Sequence, residues 1–267
     1  MKQYLTYFKL RIITNLQYRM DAIAGIATQI FFGLISIMIY NAFYSSSAST
    51  PPMTYKEIAS YLWLSQAFYA LIYPYLKDQE LLSMIKNGNL AYELVRPQNF
   101  YLKWYIKLLS KRLVNMLLRF APVIIIAILL PAPYNLSAPS SPANFLIFIL
   151  ALILSLFLMT SLCLIIHLIT MFTIEERGPM TIYSVIAEVF MGAAIPIPFL
   201  PIWMQKICAI LPFRYISDFP FRVYTNSITV TESIPLLISS FIWIIITVLI
   251  GYIISKFSLK KAVIQGG

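Results

Sequence analysis

Glu188 and His167 are ionisable side chains that stand deep inside long apolar runs of this 267-residue chain, where charge is costly. Counted from Arg177, Glu188 lies roughly 16 Å deep at ~1.5 Å of rise per residue, about the mid-plane of a ~30 Å hydrocarbon layer. Counted back from Thr173, His167 lies roughly 9 Å deep on the neighbouring antiparallel helix. A carboxyl and an imidazole at such depths can share a hydrogen bond, relay a proton or hold a polar group of a substrate, and the carboxyl can instead stay neutral. Other chemistries lack their residues. None of the eight glycines belongs to a G-x-x-x-x-G-K-[ST] phosphate loop, and no Cys/His spacing suits a metal. The single histidine is too deep for Ser/His/Asp catalysis. The chain is therefore expected to be no enzyme and to carry no cofactor or metal of its own.

A third group of reactive residues is polar. "IKNGNLAYELVRPQNFYLKWY", Ile85 to Tyr105, interrupts the surrounding Ile, Leu and Phe with Asn87-Gly88-Asn89, Glu93 and Arg96-Pro97. Asp78 can cap a short helix bearing Leu81, Leu82 and Ile85 that ends at Gly88. Asn89 can cap a one-turn helix stopping before Arg96-Pro97, because a residue preceding proline avoids the helical region. A third helix from Asn99 carries Tyr101, Trp104, Lys107 and Lys111. Glu93 and Arg96, three apart, can pair with each other or with a partner.

The elements that position these groups follow from hydropathy. The chain is 60% hydrophobic and 11% charged, outside the range of soluble domains. Six uncharged or nearly uncharged runs are long enough to cross a bilayer: Ile23–Phe43, Ile58–Tyr75, Leu113–Leu130, Phe145–Phe172, Thr181–Pro201 and Ile234–Ser255. Residues 1–20 place Leu5, Phe8, Ile12, Leu16 and Met20 on one stripe, as in a helix lying in the interface. No cleavable signal peptide is expected there. The expected fold is an all-α integral membrane protein, a single domain over 1–267. It comprises the interfacial helix, six spans, a polar loop at 76–112 and a proline-broken segment at 196–233. In that last segment Trp203, Phe213, Tyr215 and Phe221 would anchor short pieces at the membrane surface.

The net charge of +10 is a topology signal. Sixteen of the twenty Lys and Arg fall on one set of alternate connections, placing both termini and the 76–112 loop in the cytoplasm. Nucleic acid is not an expected partner; the lipid bilayer is. Two small-polar stripes complete the pattern: Gly25, Gln29, Gly33 and Ser36 on the first span, and Ser184, Glu188 and Gly192 on the fifth. Such faces meet protein or a cavity rather than lipid.

The whole chain resembles the permease subunits of type-2 ATP-binding-cassette exporters. "NGNLAYELVRPQNFYLKWY" is similar to the Gly-x-x-x-Tyr-Glu-Leu-x-Arg-Pro…Tyr…Trp stretch of one bacterial branch, and "GAAIPIPFLPIWMQKICAILPFRY" to its Gly-x-x-Ile-Pro…Pro-x-Trp…Leu-Pro-Phe signature. Glu188 departs from that pattern, which has an apolar or small residue there. The resemblance implies a bacterial cytoplasmic-membrane permease working as a homodimer or heterodimer. Separate ATPase subunits would bind ATP and Mg, and the cargo would be a hydrophobic or amphipathic compound. It further implies that Asn87, Gly88, Asn89, Glu93, Arg96 and Pro97 couple to that ATPase, and that the two stripes face the pathway or the dimer interface. Packing within one subunit is the alternative for the stripes. Proton-coupled transport through Glu188 and His167, or a scaffold without transport, is the alternative for the whole chain.

Overall fold

Helices that are apolar all round must face one another or lipid. The computed structural model describes residues 2–17, 19–46, 50–87, 89–90, 93, 97–173 and 175–261, and every regular element among them is helical. In order these are α1 (Lys2–Leu16), α2 (Arg19–Ser46), α3 (Tyr55–Ala67), α4 (Tyr69–Ile72), α5 (Gln79–Lys86) and α6 (Phe100–Leu129). Then follow α7 (Pro142–Thr173), α8 (Arg177–Phe190), a 3-10 turn (Ile197–Phe199) and α9 (Ile202–Ile210). A second 3-10 turn (Pro212–Tyr215), α10 (Asp218–Thr225) and α11 (Val230–Lys261) complete the chain.

Four of the expected spans are single helices long and apolar enough to cross a membrane: Ile23–Ser46, Phe100–Leu129, Pro142–Thr173 and Val230–Lys260. Large apolar side chains such as Phe31, Met38, Ile128, Leu146, Ile238 and Phe241 stand exposed along them. That belt would drive aggregation in water and suits lipid. The third span starts earlier than expected, because α6 runs unbroken from its Asn99 cap through Lys107 and Lys111 into the apolar stretch. The second is interrupted at Phe68, between α3 and α4.

The fifth needs correction: Thr181–Pro201 is not one helix. α8 ends at Phe190, Gly192 turns the chain at φ +80°, and Pro196 and Pro198 follow, each lacking the N–H a continuing helix needs. Gly192 is fixed there by close packing. Tyr61 donates its hydroxyl to the Gly192 carbonyl at 2.9 Å, and a Cβ on Gly192 would lie 2.8 Å from that oxygen.

α7 is the central helix, with more than half of its apolar stretch buried and less than a quarter in each of the other three long helices. It packs along α11, where the hydroxyls of Ser161 and Thr247 meet at 2.7 Å, and against α10 and Ile216 just before it, to whose carbonyl Ser155 donates at 2.6 Å. Phe68 stacks on Phe120 and meets Phe148 and Phe221. Of the four expected surface anchors only Trp203 is well exposed. Tyr215 and Phe221 are core residues, because the short pieces between α8 and α11 fold back onto α7 and α3. The proline-rich connection before α7 is irregular, as its composition suggests, but tied down. Tyr134 accepts from the Trp63 indole at 2.7 Å, and Ser137 bonds both Ser60 and Tyr224.

Candidate functional site

α5 forms where the sequence supplies a cap and an apolar face. Asp78 accepts from the Leu81 N–H at 3.0 Å, and Leu81 and Leu82 are buried beneath the helix. Its far end is closed by Asn87 N–H to the Ser83 carbonyl and Asn89 N–H to the Met84 carbonyl. What no local pattern indicates is how firmly this short helix is held.

At its first turn, Lys107 of α6 reaches Asp78 at 2.7 Å and Glu80 at 2.6 Å. Arg11 of α1 reaches Glu80 from the other side at 3.4 Å. At its last turn, Lys86 pairs at 2.5 Å with Glu176, the residue that precedes α8. Burial alone would raise the Asp78 carboxyl; the Lys107 ammonium and the Leu81 N–H outweigh it and hold it below the ordinary value. The same balance, burial against Lys107 and then Arg11, lowers Glu80. A hydrogen bond from Lys86 lowers Glu176.

His167 belongs to this anchorage. The Asp78 backbone N–H, which can only donate, lies 3.0 Å from His167 Nε2. Nε2 is therefore the acceptor, and the ring proton sits on Nδ1, donated to the Cys163 carbonyl at 2.8 Å. Both ring nitrogens are committed, and the bond that His167 could have offered Glu188 goes instead to the cap of α5. Beside it, fully buried Arg112 donates to the carbonyls of Leu71, and of Tyr73 at 2.9 Å, satisfying the end of α4.

Of the six expected coupling residues, Gly88 and Arg96 lie outside the described residues, as does most of the one-turn helix expected between Asn89 and Pro97. Asn87, Asn89 and Pro97 are exposed at the tip of the segment. Glu93 is buried and paired with Lys103 of α6. Sequence reasoning missed Lys103, Lys107, Arg112 and Glu176 as anchors. Their partners are far away in the chain, and alternating charge on an amphipathic helix carries no sign of which acid it meets.

The two stripes divide. Gly25, Gln29 and Gly33 turn into their own bundle. A Cβ on Gly25 would lie 2.6 Å from the Arg119 guanidinium and one on Gly33 2.7 Å from the Trp63 ring, and Gln29 is buried with them. For these three the packing is within the chain. Ser36 instead lines a cavity of about 440 Å³ with Tyr40, Ser65, Gln66, Ala194 and Phe199. Glu188, half-buried, lines an adjoining cavity of about 160 Å³ with Tyr69, Tyr73 and Pro74, and both cavities share Ala193 and Ala194 as a wall. Ser184 bonds the Thr181 carbonyl of its own helix. Gly192 is not on the α8 face at all, since the helix has ended. Cys163 and Cys208 are both free and buried.

A helical membrane bundle with a tethered polar helix at one end is matched, over residues 22–266, by the model of the ABC-2 family transporter proteins. The chain belongs to the ABC-2 transporter family. It is thus a multi-pass ABC permease, of a family whose membrane subunits carry no ATPase and associate with an ABC ATPase subunit. No curated protein matches this permease significantly.

Proposed function

We propose that this permease exports a hydrophobic or amphipathic compound across a bacterial cytoplasmic membrane. Two permease chains, identical or different, would work with two ATPase subunits that bind ATP and Mg. In this reading the chain crosses six times, through α2, the α3–α4 pair, α6, α7, α8 and α11. Its termini and the 76–112 segment are cytoplasmic. α8, roughly 21 Å long, crosses only with help from the turn that follows it.

The observation that carries the proposal is the anchorage of α5. A helix of eight residues is tied to α1, α6, α7 and the start of α8 while its tip at Asn87 and Asn89 stays exposed. A force applied to that tip by a partner reaches four elements, through the buried Lys107–Asp78 pair and His167 bond and through the more exposed Arg11–Glu80 and Lys86–Glu176 pairs, and α8 carries it towards Glu188. The neighbouring cavities of Ser36 and Glu188 offer apolar walls with a few polar groups, the composition that suits an amphipathic cargo. A cysteine at Asn89 tests the docking role. It should crosslink to the co-expressed ATPase and be shielded by it from a thiol reagent. Equal labelling with and without the ATPase would refute docking at this tip.

A further inference from the structure

Between α1, the start of α5 and the first half of α6 lies a polar cavity of about 380 Å³ that the coupling anchorage only partly fills. Among the described residues, Arg11, Lys107 and Lys111 line it against two carboxylates, Asp78 and Glu80, which leaves one positive charge in excess. Lys107 serves both carboxylates. Lys111 forms no close ion pair among the described residues and meets Asp78 only at longer range; its ammonium donates to the Lys77 carbonyl at 2.9 Å and keeps further donors. The side-chain amides of Asn15 and Asn115 face the same space and have no hydrogen-bond partner among the described residues.

Such a site asks for a ligand with a negative charge and several acceptor oxygens. Its surroundings say where that ligand comes from. Leu16, next in α1 to the lining residue Asn15, and Leu117, two residues beyond Asn115 in α6, are exposed apolar residues, and α1 also exposes Leu5, Leu10 and Ile13. A helix with that surface lies at the boundary between headgroups and acyl chains. We propose that the cavity binds the phosphate of an anionic phospholipid whose chains run along Leu16 and Leu117. Basic pockets between helices on the cytoplasmic face recognise headgroups in this way. A zwitterionic headgroup would add a cation to a site already in positive excess. The proposal rests on the membrane placement given above, so its test uses bilayers with the same composition in both leaflets, where a reversed topology would not abolish binding.

The full permease–ATPase assembly, stripped of lipid in detergent and returned to nanodiscs, is titrated with phosphatidylglycerol or with phosphatidylcholine of identical chains. Retained lipid is counted by native mass spectrometry, and the unfolding temperature is followed. Phosphatidylglycerol is expected to be retained at one molecule per permease chain and to raise the unfolding temperature, and phosphatidylcholine to do neither. Lys111→Gln and Asn115→Asp should each weaken retention about fivefold, the scale of one basic residue at an anionic surface. Lys9→Gln removes a charge from the exposed side of α1 and should change nothing. Asn115→Asp is the safer variant, since Asn115 holds no bond of the fold. Equal retention of the two lipids, or retention unchanged in both cavity variants, would overturn the proposal. So would displacement of the lipid by millimolar inorganic phosphate with the same stabilisation, which would assign the cavity to a soluble anion. Retention by the permease alone but not by the assembly would assign it to the subunit contact instead.

Discussion

Asp78 shows how much a single side chain can carry. It caps α5, neutralises Lys107 and positions the N–H that His167 accepts, all at 3% exposure. Removing one member of a buried ion pair strands the other, which typically costs about 3–5 kcal/mol. Lys107→Met should therefore lower stability by about 3 kcal/mol in a micelle or nanodisc unfolding experiment. Adding Asp78→Asn, which keeps a capping oxygen, should restore part of that loss; a double variant no more stable than Lys107→Met alone would argue against the pair as the source. Glu188 makes the opposite prediction. It is half-buried in a cavity wall with no ion pair among the described residues, so Glu188→Gln should leave stability nearly unchanged and alter cargo preference. Glu188→Leu should reduce transport further, and normal transport by both variants would remove Glu188 from the pathway. Of these roles only the cap was legible in the sequence, because capping acts over three residues. Lys107 is twenty-nine residues from Asp78 and could not be paired by spacing.

At the level of elements, α5 should be sensitive to acid. The carboxyls of Asp78 and Glu80 titrate lower in the folded chain than in the unfolded one. Their contribution is thus complete above the ordinary carboxylate range and is lost as pH falls through the lowered folded values. A spin label at exposed Ser83 should stay immobile at neutral pH and gain mobility only below about pH 4. Lys107→Met should shift that onset upward. The α2–α3 contact offers a second test. Gly33→Ala would push against fully buried Trp63, an overpacking that costs about 1–3 kcal/mol. The loss should appear in the unfolding of the permease chain itself, with no change in its association with a second permease. Existence and type of the long helices were readable from hydropathy. The stop at Phe190 was not, because an apolar run continues across the turn, and Gly192 reads equally as a small helix-face residue or as a left-handed turn.

At the scale of the whole molecule, sixteen of twenty basic residues sit on the connections and helix ends assigned to one side. A cysteine at Asn89 in intact cells should resist an impermeant outside reagent, and one at exposed Trp203 should react. The reverse pattern would invert the topology.

The central place of α7 has a consequence for biosynthesis. When this helix leaves the ribosome, the Thr247 that will meet Ser161 is still eighty-six residues from being made. Synthesis at about 5–20 residues per second leaves several seconds in which a helix of Ser, Thr and His must sit in lipid without its later neighbours. It carries provisional partners of its own. Thr160 bonds the Leu156 carbonyl, Ser161 that of Leu158 and Thr170 that of His167, while His167 Nδ1 bonds Cys163. Asp78, which engages the other ring nitrogen, has already been made. Among the described residues, Ser155 alone of these groups bonds no carbonyl of its own helix; its acceptor, Ile216, comes sixty-one residues later. The insertion machinery should therefore hold α7 until α10 emerges, and chains arrested before Ile216 should remain crosslinkable to that machinery through a photoreactive residue placed at Ser155.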